Sequence, residues 1–185
     1  LKHPITKRRW KITFFRNSKQ RKQSVTIRIM VQVGDQAPDF TLKDENNTDV
    51  TLSHLIGQKY IVVYFYPKDN TPVCTKQACY FRDNFSAIKQ MASDTVTVYG
   101  VSIDTVEDHK KFKEEYKLPF SLLSDPDQKV AKDYGVTGNL FGLMRGRKTF
   151  LIDKQGKIAL AYDSQLFAKS HITEVLSTIQ KLEGK

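Results

Sequence analysis

The feature that most constrains the fold is an uninterrupted apolar run from Tyr60 to Tyr66 (YIVVYFY) that ends at Pro67. A strand with one solvated face alternates apolar and polar residues, whereas a strand buried on both faces is apolar throughout. The run has the length of a strand and falls well short of the ~18–20 apolar residues that span a bilayer. We therefore expect a strand covered on both faces and no membrane-spanning segment.

The period of the apolar residues changes after this run. From Cys74 onward they recur every three or four residues, as is typical of a helix, at Ala78, Phe81, Phe85, Ile88 and Ala92. Other apolar stretches predict strands at 95–101, 120–123, 148–152 and 157–162, and helices at 105–116, 125–134 and 172–182. Two short stretches, 40–42 and 50–52, flank a turn cluster and predict an N-terminal hairpin. The pattern predicts an α/β fold with a central mixed β-sheet flanked by helices on both faces.

Charge divides the chain into two parts. The formal net charge of +10 comes from 30 Lys plus Arg and 20 Asp plus Glu. Ten of the basic residues and no acidic residue lie in 1–30, so residues 31–185 carry 20 of each sign. We therefore predict a basic leader over 1–30 and one globular domain over 31–185, a length that suits a single domain.

Three interpretations of the leader stay open. Its lack of acidic residues is typical of an organelle transit peptide, although it contains only two serines. Met30 stands just before the neutral part, so the leader is alternatively an upstream segment absent from the mature protein. The third interpretation is a retained basic arm for nucleic acid or anionic surfaces. The chain has no helix-turn-helix, zinc-finger or RNA-binding aromatic motif, so we expect no nucleic-acid partner.

The chain has two cysteines, Cys74 and Cys79, and four scattered histidines. Two cysteines do not make a disulfide scaffold, and no Cys/His set has zinc-ligand spacing, so reduced thiols or a redox pair are expected and a metal site is not. We expect most of the histidines to be ordinary surface residues.

The position of Cys74 favours a reactive thiol. A thiol is nucleophilic only as the thiolate, which is favoured at helix N-termini near cations. Cys74 follows a strand and a Pro-containing loop and opens the predicted helix, so its sulfur should lie near free backbone N–H groups and the positive end of the helix dipole. The alternative is a buried structural cysteine.

The segment around Cys74 resembles the active-site motif of the peroxiredoxins. The motif is Pro67-x-x-x-Thr71-x-x-Cys74, on a loop that follows a strand and leads into a helix. The run 74–79 (CTKQAC) is similar to the Q-type branch of that family, also called bacterioferritin comigratory proteins. The similarity covers 31–182, and residues 138–142 (GNLFG) lean toward the cyanobacterial and chloroplast members. The resemblance implies a thioredoxin-like fold.

The resemblance also implies peroxide reduction without a metal or organic cofactor. Cys74 would be the peroxidatic nucleophile, oxidised to a sulfenic acid by hydrogen peroxide or an organic hydroperoxide. Thr71 would orient the peroxide, and Pro67 would shield the pocket. Arg147 would stabilise the thiolate and the leaving oxygen, since a cation is needed there; a solvated charge at a strand end is the alternative. Cys79 would resolve the sulfenic acid as an intramolecular disulfide, which thioredoxin or a similar dithiol would reduce.

The spacing of the two cysteines places a condition on that disulfide. In an intact helix, residues five apart have Cα atoms roughly 8.6 Å apart. A disulfide needs Cα atoms within about 7 Å. The first turns of the helix must therefore unwind before Cys74 and Cys79 can bond. The alternative for Cys79 is a small core residue.

The remaining expectations concern partners and compartment. Q-type members are often monomers, so the resemblance implies a monomer. It implies a chloroplast or plastid location if the leader is a transit peptide, and a cytoplasmic one otherwise. A thioredoxin-fold redox sensor or a thiol-dependent chaperone acting through Cys74 stays open as an alternative. The segment 138–146 lacks the Gly-Lys-Ser/Thr ending of a phosphate loop and is not expected to bind nucleotides.

Overall fold

The structure is a computed structural model that describes residues 30–93, 95–136, 138 and 146–184. The predicted leader, apart from Met30, lies outside the described residues, and so does most of the segment 138–146. No helix in the described part of the chain is long and apolar enough to cross a bilayer.

Seven strands form one mixed sheet in the order β2-β1-β5-β4-β3-β6-β7. They are β1 (Thr41–Asp44), β2 (Asp49–Thr51), β3 (Tyr60–Phe65), β4 (Val96–Ser102), β5 (Ser121–Ser124), β6 (Lys148–Ile152) and β7 (Ile158–Asp163). The strands β3, β4 and β5 are parallel, whereas β6 runs antiparallel to both β3 and β7. The β1–β2 hairpin closes the other end through antiparallel pairing of β1 with β5. The predicted mixed sheet and N-terminal hairpin are confirmed.

The position of β3 accounts for the uninterrupted apolar run. All six of its residues are buried, and alternate side chains enter different cores. Val62 and Tyr64 belong to one core, while Ile61, Val63 and Phe65 belong to the other. The strand lies between β4 and β6, with apolar packing on both sides, as expected for a run without polar alternation.

Helices cover both faces of the sheet. The described α-helices are α1 (Pro72–Asp83), α2 (Phe85–Met91), α3 (Val106–Tyr116), α4 (Lys129–Asp133) and α5 (Ala168–Leu182), and a 3₁₀ turn covers Leu52–His54. Side chains of α1, α2, α3 and α5 enter one core, and those of α4 enter the other. The predicted two-sided arrangement is therefore confirmed.

Three predicted helices have different boundaries in the structure. The last one, α5, begins at Ala168, four residues before the first residue of its apolar stripe. The apolar stripe expected as one helix is divided at Asn84, whose φ of −105° and ψ of 7° separate α1 from α2. The Asn84 amide donates to the Tyr80 carbonyl at 2.9 Å. The helix expected from Asp125 begins only at Lys129, because the Asp125 carboxylate accepts backbone N–H groups of α4 and Gln128 is left-handed at φ 54°. Such side-chain bonds to the backbone compete with helix continuation and leave no trace in apolar periodicity.

Candidate active site

Cys74 was expected to open the helix, and it is the third residue of α1, within the first turn. Thr71 precedes the helix in an extended conformation (φ −94°, ψ 145°), and Pro72 occupies the first helical position. Proline suits that position because its missing N–H would have no intrahelical partner there. Cys74 is only 2% exposed. Its sulfur therefore lies in a buried first turn, where free N–H groups and the helix dipole favour negative charge.

Arg147 reaches this sulfur from the start of β6. Its Nη2 lies 3.1 Å from Cys74 Sγ, its Nε donates to the Gln165 carbonyl at 3.2 Å, and its Nη1 donates to Gln77 Oε1. The residue is 3% exposed. β6 pairs with β3, so the strand that leads to Cys74 and the strand that follows Arg147 are direct neighbours. This pairing brings together two residues that are 73 positions apart.

Arg147 is a buried cation without a carboxylate partner in the described part of the chain. A guanidinium stays protonated in proteins, and a buried charge needs a partner. No carboxylate in the described part of the chain forms a salt bridge with Arg147. The carbonyl and amide oxygens that it contacts are neutral. Cys74 Sγ is therefore the one group in contact with this cation in the described site that can carry a counter-charge.

Gln77 is a site residue to which the sequence analysis assigned no role. It is fully buried, and its Oε1 accepts from Arg147. Gln77 lies three residues after Cys74, so both side chains project from the same face of α1. The i, i+3 spacing from Cys74 was the signal in the sequence that could have identified Gln77 as a site residue. The role of Gln77 became clear only with its partner Arg147, which comes from a distant strand.

Thr71 and Pro67 lie in the loop between β3 and α1. Thr71 is partly exposed, and its hydroxyl donates to the Lys68 carbonyl at 3.2 Å. The hydroxyl oxygen keeps lone pairs with which it can accept a further hydrogen bond. Pro67 is half-buried and directly follows β3. The loop therefore brings both residues to the same end of α1 as Cys74.

Cys79 lies farther along α1 and is half-buried. Both cysteines are free thiols, and α1 is continuous from Pro72 to Asp83. Arg82, on the same helix, interacts with Cys79 and donates from Nη1 to the Tyr116 carbonyl at 2.9 Å. Because the helix is intact, the spacing condition applies: this conformation holds the two cysteines too far apart for a disulfide.

The expectation that most histidines lie at the surface is wrong for the described residues. His54 is exposed, but His109 and His171 are fully buried. His171 Nδ1 lies 2.8 Å from Thr149 Oγ1 and its Nε2 lies 2.9 Å from the Ser164 carbonyl oxygen. Burial lowers the pKa of His171, and the positive charge of Arg147 adds to that effect. A neutral ring that donates from Nε2 and accepts at Nδ1 satisfies both contacts.

A buried thiol at a helix N-terminus in contact with an arginine is an arrangement that suits thiol-based redox chemistry. Comparison with known proteins gives the family. The AhpC/TSA family matches residues 33–161, and the chain belongs to that family. Its relatives include Peroxiredoxin Q, chloroplastic, of Sedum lineare, which is 46% identical over 163 residues, covering 88% of this chain and 84% of the relative. The protein of the same name from Arabidopsis thaliana is 47% identical over 150 residues, covering 81% and 68%.

Solved structures agree with this assignment. Peroxidoxin BcpB from Mycobacterium tuberculosis superposes with a TM-score of 0.74 at 33% identity, covering 82% of this chain and 98% of its own. A cysteine-to-serine mutant of PrxQ from Xylella fastidiosa gives a TM-score of 0.74 at 29% identity, covering 85% and 99%. The fold is thioredoxin-like, and the chain is a peroxiredoxin of the Q type, a thiol-dependent peroxidase.

Proposed function

We propose that this enzyme reduces hydrogen peroxide and organic hydroperoxides with Cys74 as the attacking thiolate and Cys79 as the resolving thiol. The observation that carries the proposal is the 3.1 Å contact between Arg147 Nη2 and Cys74 Sγ in a buried helix N-terminus. A structure of the related bacterioferritin comigratory protein from Xanthomonas campestris is described in terms of its alkyl peroxide reduction activity, which supports the organic substrates.

In the first step, the Cys74 thiolate attacks the terminal oxygen of the peroxide. An S–O bond forms as the O–O bond breaks, the sulfur is oxidised to a sulfenic acid, and the leaving oxygen takes a proton and departs as water or an alcohol. Arg147 donates to the negative charge that moves from sulfur to the leaving oxygen. The Thr71 hydroxyl oxygen accepts from the peroxide O–H, and Pro67 shields the pocket from water.

In the second step, the thiolate of Cys79 attacks the Cys74 sulfur. A disulfide forms and the sulfenic oxygen leaves as water, which requires the first turns of α1 to unwind. Thioredoxin or a similar dithiol then supplies two electrons and two protons through a mixed disulfide and restores both thiols. Cys79 is half-buried in the folded helix, so unwinding also gives the reductant access to the disulfide.

The cellular setting is part of the same proposal. The relatives from Sedum lineare and Arabidopsis thaliana are named chloroplastic, which supports a plastid location with 1–30 as a transit peptide and 31–185 as the catalytic domain. Cys74, Cys79 and Arg147 all come from one chain, so both steps are possible in a monomer.

The test is peroxide consumption coupled to thioredoxin, thioredoxin reductase and NADPH. The wild-type protein should turn over hydrogen peroxide and cumene hydroperoxide. Cys74→Ser should reduce activity to background, because serine is not ionised at neutral pH. Cys79→Ser should retain one turnover with peroxide and lose recycling by thioredoxin. Full activity of Cys74→Ser would refute the assignment, and oxidation of Cys74 without turnover in the wild type would favour a redox sensor.

A further inference from the structure

Asp69, in the loop between β3 and α1, is held by three buried hydrogen bonds. Its Oδ1 accepts from the Tyr66 hydroxyl at 2.6 Å, and its Oδ2 lies 2.8 Å from His109 Nδ1. Its backbone N–H donates to Asp104 Oδ2 at 2.8 Å. Asp69, Asp104 and His109 are 5%, 6% and 0% exposed. The loop that ends at the first turn of α1 is thus fastened to the end of β4 and to α3.

His109 contacts hydrogen-bond acceptors at both ring nitrogens. Nδ1 faces the Asp69 carboxylate, and Nε2 lies 3.2 Å from the Leu123 carbonyl oxygen. His109 therefore joins the Asp69 carboxyl group to the Leu123 carbonyl through contacts at both ring nitrogens. Removing the ring leaves the buried Asp69 carboxyl group without one of its hydrogen-bond partners, which is costly in a buried position. The pair is therefore a strong local link between the loop and α3.

We propose that His109 is a positioning residue that clamps the loop 67–71 through Asp69 and sets how often the first turn of α1 opens. His109 is anchored in the core of the fold. It contacts Leu123 of β5, and both residues are fully buried. The loop, in contrast, is short, and Lys68 and Asn70 on either side of Asp69 are exposed. Its anchorage therefore depends heavily on the bonds of Asp69.

The clamp bears on both steps of the proposed cycle. A closed loop keeps Thr71 beside Cys74 for the attack on peroxide, whereas an opened first turn is needed for the disulfide. A weaker clamp should slow formation of the sulfenic acid and speed its resolution by Cys79. These consequences rest on the proposed function, but the opening itself can be measured without any turnover.

A pair of substitutions separates the two bonds of His109. In His109→Asn the amide stands near the former Nδ1 and can still donate to Asp69. In His109→Gln the amide stands near the former Nε2, donates to the Leu123 carbonyl and leaves Asp69 without its donor. His54→Gln replaces an exposed histidine and is the matched control.

The measurement is amide hydrogen exchange of the reduced proteins, read at residues 69–76 and, for reference, at 172–179 in α5. Loss of a hydrogen bond to a charged group should accelerate exchange of 69–76 in His109→Gln by roughly ten- to hundredfold, with little change in α5. His109→Asn should show a clearly smaller effect, and His54→Gln should match the wild type.

Three results of the exchange experiment would overturn the clamp. They are exchange at 69–76 within twofold of wild type in His109→Gln, equal acceleration in α5, and equal effects of the Asn and Gln variants. No peroxide is present, so these results are independent of the turnover assay for the proposed function. A peroxide-dependent readout completes the test: at equal peroxide, His109→Gln should accumulate less sulfinic acid than wild type, and more would also contradict the proposal.

Discussion

Replacing Arg147 with methionine should slow the reaction of Cys74 with peroxide far more than it disturbs the fold. The guanidinium lies 3.1 Å from the sulfur. A hydrogen bond to a charged group contributes about 1.5–3 kcal/mol. About 1.4 kcal/mol corresponds to a tenfold change in rate. Arg147→Met should therefore lower the second-order rate constant for hydrogen peroxide roughly 10- to 100-fold.

The assay uses a Cys79→Ser background, so that the sulfenic acid persists and can be trapped with dimedone and counted by mass spectrometry. Alkylation of Cys74 by iodoacetamide at pH 7 reports the thiolate fraction. The alkylation rate should fall together with the rate of peroxide reduction. Arg147→Lys keeps the charge but not the planar fork, so its rate should be intermediate. Lys76→Met removes an exposed positive charge from α1 and should stay within about twofold of the background protein.

Two outcomes would refute this reasoning. Equal rate constants for Arg147→Met and Lys76→Met would show that the buried contact is without kinetic effect. Unchanged alkylation together with slower peroxide reduction would show that Arg147 acts on the leaving oxygen and leaves the thiolate unaffected. Thermal unfolding followed by circular dichroism shows in each case that the variant remains folded.

Two further predictions concern α1 and His171. Oxidation to the Cys74–Cys79 disulfide should abolish exchange protection in the first two turns of α1 while leaving α5 protected, and a disulfide formed with α1 fully protected would contradict the spacing. Because burial lowers the pKa of His171 in the folded state, the unfolded chain binds more protons below its ordinary value of 6.5. Stability should therefore decline as pH falls below about 6.5, by at most ~1.4 kcal/mol per pH unit from this group. Urea unfolding from pH 7.5 to 5.5 should show a shallower decline for His171→Gln, and parallel curves would count against a buried neutral ring.

The fold was predictable where one local pattern decides the structure. The apolar run at 60–66 needs two covered faces, and β3 supplies them. The strand pair 148–152 and 157–162 and the N-terminal hairpin also follow from short-range alternation and turn residues. The errors fall where a polar side chain overrides apolar periodicity. Asn84 ends α1, although the helical spacing of apolar residues continues beyond it. Asp125 lies four residues before α4 and accepts hydrogen bonds from its backbone N–H groups.

The site was predictable only in part, because only some of its residues are close together in the sequence. The residues 67–79 lie on one loop and one helix, so a single segment of sequence displays most of the site. Arg147 could be assigned only by resemblance, because strand pairing across the sheet brings it to Cys74. Gln77, His109 and His171 have partners 70, 40 and 22 residues away, and the spacing of a lone polar residue contains no signal of such partners.

The absence of a carboxylate beside Arg147 bears on the stability of α1 after Cys74 is oxidised. Neither a sulfenic acid nor a disulfide sulfur carries the negative charge of a thiolate, so in the proposed cycle oxidation of Cys74 would leave the guanidinium with no anionic partner in the described site. A buried cation without a counterion destabilises its surroundings by several kcal/mol, and exposure to water relieves that penalty. In the proposed cycle, peroxide would therefore remove the charge on the sulfur and also weaken the packing that keeps α1 helical. The same oxidation that calls for a resolving thiol would thus favour the unwinding of α1 that Cys79 needs in order to reach Cys74.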